Sequence, residues 1–483
     1  MDTEDKIKEI RIEKIKNLAK LGKESYPAHS RKNVDIVDVK KHFRKWSLLK
    51  KKVIIAGRII SQRGQGGIMF LNLRDNFEHF QVVFKKDNLD DLVVAQNNLD
   101  IGDFIECEGT FFKTQRGEQS LLVKNWRLLS KSLRPLPSEW YGLKDTEERL
   151  RKRYLDILMN PEIKDVFIRK SKFWQSIRNF LLTKGFLEVE TPVLESVPGG
   201  AEAKPFITHH NALDMDVYLR ISPELWLKRL MVAGFPKVFE IGRIFRNEGI
   251  DAEHLQDYTQ MEFYWAFADY YDGMKLVEEM YKKVAQEVYG KTKFRIKGFD
   301  IDLSKKWEVY DYTKIIQEAT GVDVLKDDVK MMEKRLIDLK IDFDKKGFNK
   351  TRAIDNLWKY CRKNIAGPGF LINVPVMMEP LAKRKAENKE LVERFQVILA
   401  GSELGKGFSE LNDSEDQRGR FAEQAKLREQ GDEEAQMTDN DFVEALEYGM
   451  PPTCGFGISE RLFAFFEDKP VRETTIFPLM KKK

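Results

Sequence analysis

Two strand-like runs, VFEIGRIFRNE and TQMEFYWAF, carry polar side chains at alternating positions and are joined by a charged loop of about ten residues. Alternation puts every second side chain of a strand on the same face. If the runs pair as a hairpin, one face therefore carries Arg246, Glu248, Glu262 and Tyr264. Burying such a face is costly unless a ligand of both charges, such as an amino acid together with a phosphate, binds it. An exposed face held by salt bridges is the alternative.

The other side chains of the second run are large and apolar. They are Met261, Phe263, Trp265 and Phe267. Because they alternate with the polar positions, we expect all four to point into a core on the opposite side of the sheet.

A third stretch, PTCGFGISERLFAFF at 452–466, combines two glycines with a strand-to-helix transition. Glycine permits close approach of the backbone to a ligand or to another chain segment. Ser459 is a suitable helix N-cap, and Arg461 then lies in the first turn. A helix start that carries an arginine is suited to bind phosphate. The alternative is a packed strand-to-helix turn with no ligand.

A fourth stretch, GSELGKGFSELND at 401–413, contains Glu403 and Glu410. Carboxylates of this kind can hold Mg²⁺ that bridges phosphate oxygens. One of them could instead bind a substrate ammonium group, or both could simply be exposed in a polar loop. The residue types leave these alternatives open.

The composition sets the class of protein. The 483 residues suit two or three domains, with 42% apolar and 11% aromatic residues for their cores. No apolar run approaches the roughly 18 residues of a membrane helix. The charged N-terminus is not a secretory signal, and the three distant cysteines indicate neither a zinc site nor a disulfide framework. We therefore expect a cytoplasmic protein with no membrane partner. The net charge of +5 permits a nucleic-acid partner without requiring one.

The first part of the chain changes from a helical to a strand-rich pattern near residue 51. Residues 1–50 are expected to form a helical extension, in which Ile7, Ile10, Ile15, Leu18 and Leu21 form an apolar stripe along residues 3–24. Residues 51–130 contain five short β-rich runs and a glycine-rich turn, which suit an oligonucleotide-binding barrel (OB-fold). Phe70, Phe80 and Gln81 could contact bases there, although either phenylalanine could belong to the core.

The rest of the chain predicts a larger second domain. Residues 131–150 are expected to form a linker because prolines and a glycine stand there in a polar setting. The second domain spans 151–483, with an amphipathic helix at 165–184 that ends at Gly185 and a mostly helical insertion at about 300–364. The predicted class is α+β, with the barrel followed by an antiparallel sheet flanked by helices.

Taken together, these stretches resemble the three signature motifs of a class II aminoacyl-tRNA synthetase. The first is GFLEVETPVL, the second runs from FRNEG to MEFY, and the third is GFGISERL. Within the class, the stretches PGGAEAKPFITHHNALDMDVYLRISPELWLKRL, KSLRPLP, RYLD, GFSELND and IFPLM are similar to lysyl-tRNA synthetases. The resemblance implies an anticodon-binding barrel, a catalytic domain with Mg²⁺ as cofactor, and a homodimer. It also implies formation of lysyl-adenylate from L-lysine and ATP, followed by transfer of the lysyl group to tRNA(Lys).

The resemblance also implies roles for individual residues. Arg246 and Arg461 are the implied catalytic residues, the first binding the carboxylate and α-phosphate and the second the γ-phosphate end. The implied ATP-binding residues are Arg246, Glu248, His254, Tyr258, Glu403 and Arg461. The implied lysine-binding residues are Gly200, Glu224, Arg246, Glu262, Tyr264, Phe408 and Glu410. The implied metal ligands are Glu403 and Glu410, and the implied anticodon-binding residues are Arg63, Phe70, Gln81 and Glu118.

Three features depart from the family pattern. Lys406 replaces an asparagine near the metal site, where a lysine could take over the charge of a metal ion. Glu253, and LQD after His254, replace an arginine and Asn-Pro-Glu in the loop of the second motif. The stretch FLNLRDNFEHF differs from the usual sequence of the barrel in this family.

Three other kinds of protein share parts of this pattern. Aspartate and asparagine enzymes of the same subgroup need a cationic side-chain pocket, which Glu410 and Tyr264 argue against. Paralogues that transfer lysyl groups to proteins lack the barrel. A non-catalytic protein on the same scaffold would be favoured by loss of Arg246 or Arg461, and both are present.

Overall fold

The structure is a computed structural model that describes residues 3–64, 66–76, 78–137, 145–249, 251, 253–345, 347–431 and 435–482. The chain divides into two compact units, residues 1–162 and 163–483. None of the helices in these described ranges combines the length and the apolar character that crossing a bilayer would require.

The first unit is built around a closed five-stranded barrel. Its helices are α1 (Thr3–Lys20), α2 (Ile36–Leu48), α3 (Leu92–Asn98), α4 (Thr146–Arg151) and α5 (Arg153–Met159). Its strands are β1 (Val53–Arg63), β2 (Ile68–Asp75), β3 (Glu78–Lys85), β4 (Phe104–Lys113) and β5 (Gln119–Ser130), in the order β1-β2-β3-β5-β4. The ring of strands confirms the predicted barrel.

The two N-terminal helices pack on the barrel, but not along the whole stripe that the sequence predicts. Leu18 of α1 and Phe43 of α2 are buried in the same core as the barrel residue Phe80. Ile10 is exposed, whereas its neighbour Arg11 is buried and donates a hydrogen bond to the carbonyl of Ser132 (2.6 Å). The helix is therefore rotated so that Ile10 faces outward and the Arg11 guanidinium satisfies a backbone carbonyl just after β5.

The boundary between the units differs from the prediction at residue 151. Helices α4 and α5 group with the barrel, and the guanidinium of Arg74 on β2 donates to the carbonyl of Leu158 (2.5 Å). Part of the predicted linker, residues 138–144, lies outside the described residues. Lys131, the first residue of the predicted linker, is buried and donates to the carboxylate of Asp103 (2.7 Å). The linker composition did not reveal this attachment because it depends on a distant carboxylate.

The second unit contains nine helices within the described residues. They are α6 (Pro161–Thr183), α7 (Glu224–Val232), α8 (Tyr270–Tyr289), α9 (Tyr312–Thr320), α10 (Val329–Asp338), α11 (Lys350–Cys361), α12 (Ser414–Glu429), α13 (Asn440–Glu447) and α14 (Arg461–Phe466). Helix α6 agrees closely with the helix expected at 165–184, and Gly185 follows it with φ of +80°. A positive φ after a helix is a conformation that glycine adopts without strain.

The strands of the second unit form one large sheet and three small ones. They are β6 (Leu187–Glu188), β7 (Leu194–Glu195), β8 (Ile207–His210), β9 (Met215–Leu219), β10 (Lys237–Phe245), β11 (Asp257–Ala266), β12 (Lys293–Ile296), β13 (Phe299–Asp302), β14 (Glu308–Asp311), β15 (Gly369–Ile372), β16 (Val374–Pro375), β17 (Leu391–Val392), β18 (Arg394–Leu399), β19 (Ser402–Ser409) and β20 (Thr453–Ser459). The large sheet has the order β14-β15-β18-β19-β20-β11-β10-β6 and is antiparallel except at its two edges. This antiparallel sheet confirms the predicted α+β class.

The region predicted as a mostly helical insertion, residues 300–364, contains α9, α10 and α11 but also strands. Strand β14 lies inside this region and forms an edge of the large sheet, paired in parallel with β15. The region is therefore partly continuous with the sheet. Four residues at a sheet edge show too little alternation for the sequence to distinguish them from a loop.

The predicted hairpin is formed by β10 and β11, in a register that pairs Glu240 with Glu262. Met261 and Phe263 are fully buried in the core on one side of the sheet, as expected. Phe267 is not in the core, because β11 ends at Ala266 and Phe267 turns away with φ of +62° and 80% exposure. Tyr264 lies in a second core on the opposite side, so the large sheet is covered on both faces.

Candidate active site

One face of the large sheet carries a pocket of about 450 Å³ at β11, β18, β19 and β20. Every residue expected to bind the nucleotide or the amino acid lies in its lining: Gly200, Glu224, Arg246, Glu248, His254, Tyr258, Glu262, Tyr264, Glu403, Phe408, Glu410 and Arg461. These residues come from the loop between β7 and β8, from the start of α7, from the hairpin and its loop, from β19 and the residue after it, and from the start of α14. The fold therefore brings together stretches that are more than two hundred residues apart in sequence, from Gly200 to Arg461.

The hairpin holds Arg246 just beyond the end of β10. The backbone N–H of Arg246 donates to the carbonyl of Gln256 (2.8 Å), which extends the pairing past the last strand residue. The Nε of Arg246 donates to the carbonyl of Ile221 (3.4 Å), and the guanidinium lies 5.7 Å from the ring centre of Tyr258. An arginine and an aromatic ring therefore border the same space in the pocket.

At one end of the pocket, three buried glutamates surround one buried lysine. Lys228 on α7 has no exposed surface, donates to Glu224 (2.6 Å) and forms an ion pair with Glu410. Glu262 accepts hydrogen bonds from Ser222 (2.8 Å) and from the hydroxyl of Tyr264 (3.1 Å). Carboxyl groups outnumber ammonium groups in this cluster, which we call the acidic end. An additional ammonium group would find buried carboxylate oxygens to bind.

Burial changes the titration of the acidic end. The pKa of Glu410 is raised well above its ordinary value by burial, which outweighs the opposing effect of Lys228. Burial, together with the neighbouring Glu224, raises the pKa of Glu262 to about 7. Both oxygens of Glu410 are buried, and within the described residues neither accepts a well-formed hydrogen bond. The Glu262 carboxyl can therefore ionise near neutral pH when a cation enters.

Two glycines make room for the acidic end. A Cβ atom at Gly455 on β20 would lie 2.0 Å from the carboxylate of Glu410 and 2.6 Å from the ring of Tyr264. A Cβ atom at Gly200 would lie 2.7 Å from that of Glu224, and the backbone of Gly200 has φ of +85°. Glycine is therefore required at both positions for steric reasons, which gives the PTCGFG pattern a specific cause.

Phe408 closes one side of the acidic end. Its side chain is buried, and the ammonium of Lys228 lies 5.3 Å from its ring centre. The sequence analysis identified Phe408 but not Lys228. The spacing of Glu224 and Lys228, one helical turn apart, was a usable signal for this pair.

At the other end of the pocket lies the arginine that opens α14. The N-cap position is Glu460 and not the predicted Ser459, although the Ser459 hydroxyl accepts a hydrogen bond from the Arg461 N–H (3.3 Å). The guanidinium of Arg461 forms an ion pair with Glu253. Glu253 in turn accepts a hydrogen bond from Lys297 (2.8 Å). His254, the next residue, is exposed and contacts the carboxylate of Asp251 through Nδ1 (2.7 Å).

A further charged cluster on the pocket wall was not found from the sequence. Glu379 is buried, and Lys406 donates to both of its oxygens at 3.1 and 3.2 Å. Arg394 on β18 lies 3.3 Å from the same carboxylate and also donates to Gln396. Although burial opposes it, Lys406 and Arg394 hold the pKa of Glu379 below its ordinary value. Glu379 could not be identified from the sequence, because its partners lie on β18 and β19 and only the tertiary structure brings them to it.

The two implied metal ligands, Glu403 and Glu410, have different partners in the structure. They lie seven positions apart along β19 and the residue that follows it, which corresponds to roughly 20 Å of extended chain. Trp358 donates to one oxygen of Glu403 (2.5 Å), whereas Glu410 is paired with Lys228. Among the residues that the structure describes, no group of three or more His, Cys, Asp or Glu side chains is arranged to hold a metal. The two carboxylates are therefore engaged by different partners in the structure, and their role as metal ligands stays a prediction.

The residues expected to read an anticodon lie on the barrel. Arg63 donates to the side-chain oxygen of Gln81 (2.8 Å), and its guanidinium lies 5.4 Å from the ring centre of Phe70. Gln81 donates onward to Ser120 (2.7 Å), and Glu118 is exposed nearby in sequence. Phe80, in contrast, is buried in the barrel core. Arg63 is exposed and Phe70 is half-buried, whereas Gln81 is buried with its amide bonded to Arg63 and Ser120.

Comparisons with known proteins agree with both units. The profile described as tRNA synthetases class II (D, K and N) matches residues 145–481, and the profile described as OB-fold nucleic acid binding domain matches residues 53–129. The chain is 42% identical to the lysine–tRNA ligase of Thermotoga maritima over 484 residues, which cover 99% of this chain and 96% of the relative. It is 45% identical to that of Pelotomaculum thermopropionicum over 442 residues, covering 90% and 87%. It is 43% identical to that of Carboxydothermus hydrogenoformans over 480 residues, covering 98% of both. The chain therefore belongs to the class II aminoacyl-tRNA synthetases and, within them, to the lysine–tRNA ligase family.

Proposed function

We propose that this chain activates L-lysine with ATP to give lysyl-adenylate and pyrophosphate, and then transfers the lysyl group to the 3′-terminal adenosine of tRNA(Lys). The observation that carries the proposal is the charge arrangement of a single pocket. One end is a buried acidic cluster that suits an ammonium group, and the other carries Arg246 and Arg461, which suit anions. L-lysine supplies ammonium groups for the acidic end, and ATP supplies phosphates for the two arginines.

The acidic end is assigned to the amino acid. Glu410 and Tyr264 would bind the ε-ammonium group, and Glu224, with the backbone near Gly200, would bind the α-ammonium group. Glu262 supports this cluster, and Phe408 forms a wall beside the aliphatic chain. A neutral isostere of lysine would leave a buried carboxylate without its counter-charge, so it should be rejected strongly. For the same reason, aspartate and asparagine do not suit this pocket.

The nucleotide is assigned to the opposite end. Arg246 would bind the lysine carboxylate and the α-phosphate together, with the adenine stacked on Tyr258. Arg461 would bind the terminal phosphate, and Glu248 and His254 would lie along the nucleotide. An oxygen of the lysine carboxylate attacks the α-phosphorus, the bond from that phosphorus to the bridging oxygen breaks, and pyrophosphate leaves with the electron pair. Since the carboxylate is already ionised, the chain supplies orientation and charge stabilisation and no general base.

The residues present fit Mg²⁺ in a limited way. Magnesium is commonly held by one or two carboxylates together with substrate phosphates, so Glu403 alone is a sufficient protein ligand beside a bound triphosphate. When bound, the ion would neutralise phosphate charge. Lys406 and Arg394 bring protein cations to the same wall through Glu379. We therefore propose Glu403 as the first protein ligand, with Glu410, now paired with Lys228, as the second.

The barrel is assigned to the anticodon of tRNA(Lys). Arg63, Phe70 and Gln81 would contact bases by stacking and hydrogen bonding, and exposed Glu118 would lie at the edge of this face.

We also propose a homodimer in the cytoplasm. Apolar side chains are exposed in the segment of the first motif and its neighbours, among them Leu182, Leu194 and Ile207, and the three cysteines are free and buried. A protein that sediments as a monomer at micromolar concentration would contradict the dimer.

Replacing Arg246 by Ala should reduce ATP–pyrophosphate exchange with lysine by about 10³-fold, because one guanidinium is proposed to hold both reacting groups. The assay tests each amino acid separately on purified protein. A matched control is Arg243→Ala on the same hairpin, since Arg243 pairs with Asp257 and lies outside the pocket lining. Near-normal exchange in Arg246→Ala would contradict the assignment of Arg246 to the active site. Exchange with another amino acid would contradict the assignment of lysine as the substrate.

Lysine affinity should rise with pH up to about 7. Below this value Glu262 is protonated in the empty pocket, as its pKa of about 7 requires. Binding of a cation must then release the proton, so affinity should gain up to about tenfold per pH unit and level off above the pKa. Calorimetric titration with lysine from pH 6 to 8, in two buffers of different ionisation enthalpy, measures affinity and proton release together. A flat profile without proton release would exclude Glu262 from the binding event.

Lys406→Asn should shift the magnesium dependence of exchange to lower concentration. The substitution removes a cation and releases Glu379 from its partner, so the wall becomes more negative. A magnesium titration of exchange at saturating lysine and ATP gives the midpoint, and binding of Mn²⁺ followed by electron paramagnetic resonance provides a reading that does not depend on activity. Identical titration curves for the wild type and Lys406→Asn would show that Lys406 does not affect metal binding.

Phe70→Ala should raise the KM for tRNA(Lys) by about tenfold, the usual effect of losing one stacked base. Pyrophosphate exchange should stay normal because it requires no tRNA. An unchanged KM would show that Phe70 does not contact the anticodon.

A further inference from the structure

The ion pair between Glu253 and Arg461 occupies a position that the proposed function assigns to a phosphate. Both side chains line the active-site pocket, and both also line a second cavity of about 230 Å³ on the side toward β12. Their side chains are 34% and 21% exposed. A carboxylate of the chain itself is thus bound to the guanidinium at the boundary between two cavities.

The carboxylate of Glu253 is shared between two cations. One oxygen pairs with Arg461 and the other accepts a hydrogen bond from Lys297 (2.8 Å), which lies in the turn between β12 and β13. Lys297 also donates to the hydroxyl of Ser402 (3.0 Å) and lines the second cavity. If Glu253 leaves Arg461, it therefore keeps one cationic partner and has a cavity beside it.

A carboxylate and a terminal phosphate compete for this guanidinium. Arginine binds both kinds of anion through the same planar set of N–H donors. Although burial opposes it, Arg461 and Lys297 hold the pKa of Glu253 below its ordinary value, so the carboxylate is ionised at neutral pH. A polyphosphate that reaches Arg461 must therefore either displace Glu253 or lie beside a like charge, which is unfavourable.

We infer that Glu253 is a residue that determines nucleotide affinity: its carboxylate holds Arg461 in place of a terminal phosphate, and a polyphosphate binds by displacing it toward Lys297. This inference rests on the proposed role of Arg461 in binding ATP. It predicts that the ratio of ATP affinity to AMP affinity is smaller in this chain than it would be if Arg461 had no carboxylate partner. The competition acts on ATP and not on AMP, which has no phosphate to reach Arg461.

The test is calorimetric titration of the full-length protein with ATP and, separately, with AMP, at constant Mg²⁺. Glu253→Gln keeps the shape of the side chain but removes its charge. This variant should bind ATP about fivefold more tightly than the wild type, the effect of removing one partly exposed ion pair, with AMP affinity unchanged. Unchanged or weaker ATP binding with unchanged AMP binding would overturn the competition. Weaker binding of both nucleotides would show that Glu253 only positions the loop, which also overturns it.

Lys297→Met provides a matched variant with the opposite expectation. Without Lys297 the displaced carboxylate loses its second partner, so ATP should bind more weakly than to the wild type. In the double variant Glu253→Gln/Lys297→Met, this loss should disappear because Lys297 acts through Glu253. Loss of ATP affinity that persists in the double variant would mean that Lys297 contacts the phosphates itself and would contradict the inference.

Arg461→Met separates failure of this inference from failure of the proposed function. If Arg461 binds the terminal phosphate, this variant loses ATP affinity and keeps AMP affinity. That result combined with no gain in Glu253→Gln overturns only the competition. An unchanged ratio of ATP to AMP affinity in Arg461→Met would instead overturn the role of Arg461, and the inference with it.

Discussion

The buried ion pair between Lys228 and Glu410 is the constraint around which the acidic end of the pocket is organised. Both groups are almost completely removed from solvent, and Glu224 and Glu262 are buried beside them. Burying ionisable groups is expensive unless they are paired. Glycine at position 455 of β20 lets the Glu410 carboxylate approach the strand, and Glu224 meets Lys228 because both lie on one face of α7. The arrangement leaves more carboxyl groups than cations, which is the condition for binding an ammonium group.

Carboxylates along the rest of the pocket wall are also paired with cations of the chain. Lys406 and Arg394 neutralise Glu379, and Arg461 with Lys297 neutralises Glu253. In the absence of substrates, the chain therefore supplies counter-charges to many of its own site residues. Binding of lysine and ATP, as proposed, would be an exchange of partners and not the filling of an uncompensated site. The net gain from such an exchange is smaller than each contact suggests, because existing ion pairs are weakened as new ones form.

As proposed, the two units carry separate parts of the activity. The pocket lies within residues 200–471, and the polar group of Arg63, Phe70 and Gln81 lies on the barrel. The chain belongs to the lysine–tRNA ligase family over nearly its whole length. Two of its departures from the family pattern are the charged residues Glu253 and Lys406. In the structure each of them forms an ion pair inside the pocket, so both are integrated into the site and affect its balance of charge.

Much of the fold could be predicted from local pattern. Alternation predicted the hairpin and the barrel strands, and a 3.6-residue period predicted α6, because these periods follow from the backbone itself. The errors occurred where tertiary contacts decide: Arg11 replaced Ile10 on the buried side of α1, β14 joined the edge of the large sheet, and Phe267 turned out of the core after β11 ended.

The sequence by itself determined the class of fold, the family, and many of the residues that line the pocket, since side-chain types at fixed spacing are set along a single chain segment. Only the tertiary structure decided which charges face one another. Lys228 with Glu410, Glu379 with Lys406, and Glu253 with Arg461 are pairs of groups brought together from different segments. It also showed that Glu403 is bonded to Trp358 and Glu410 to Lys228, contacts that the GSELGKGFSELND stretch alone did not reveal. Electrostatic pairing depends on distance in space, and no local pattern encodes that distance.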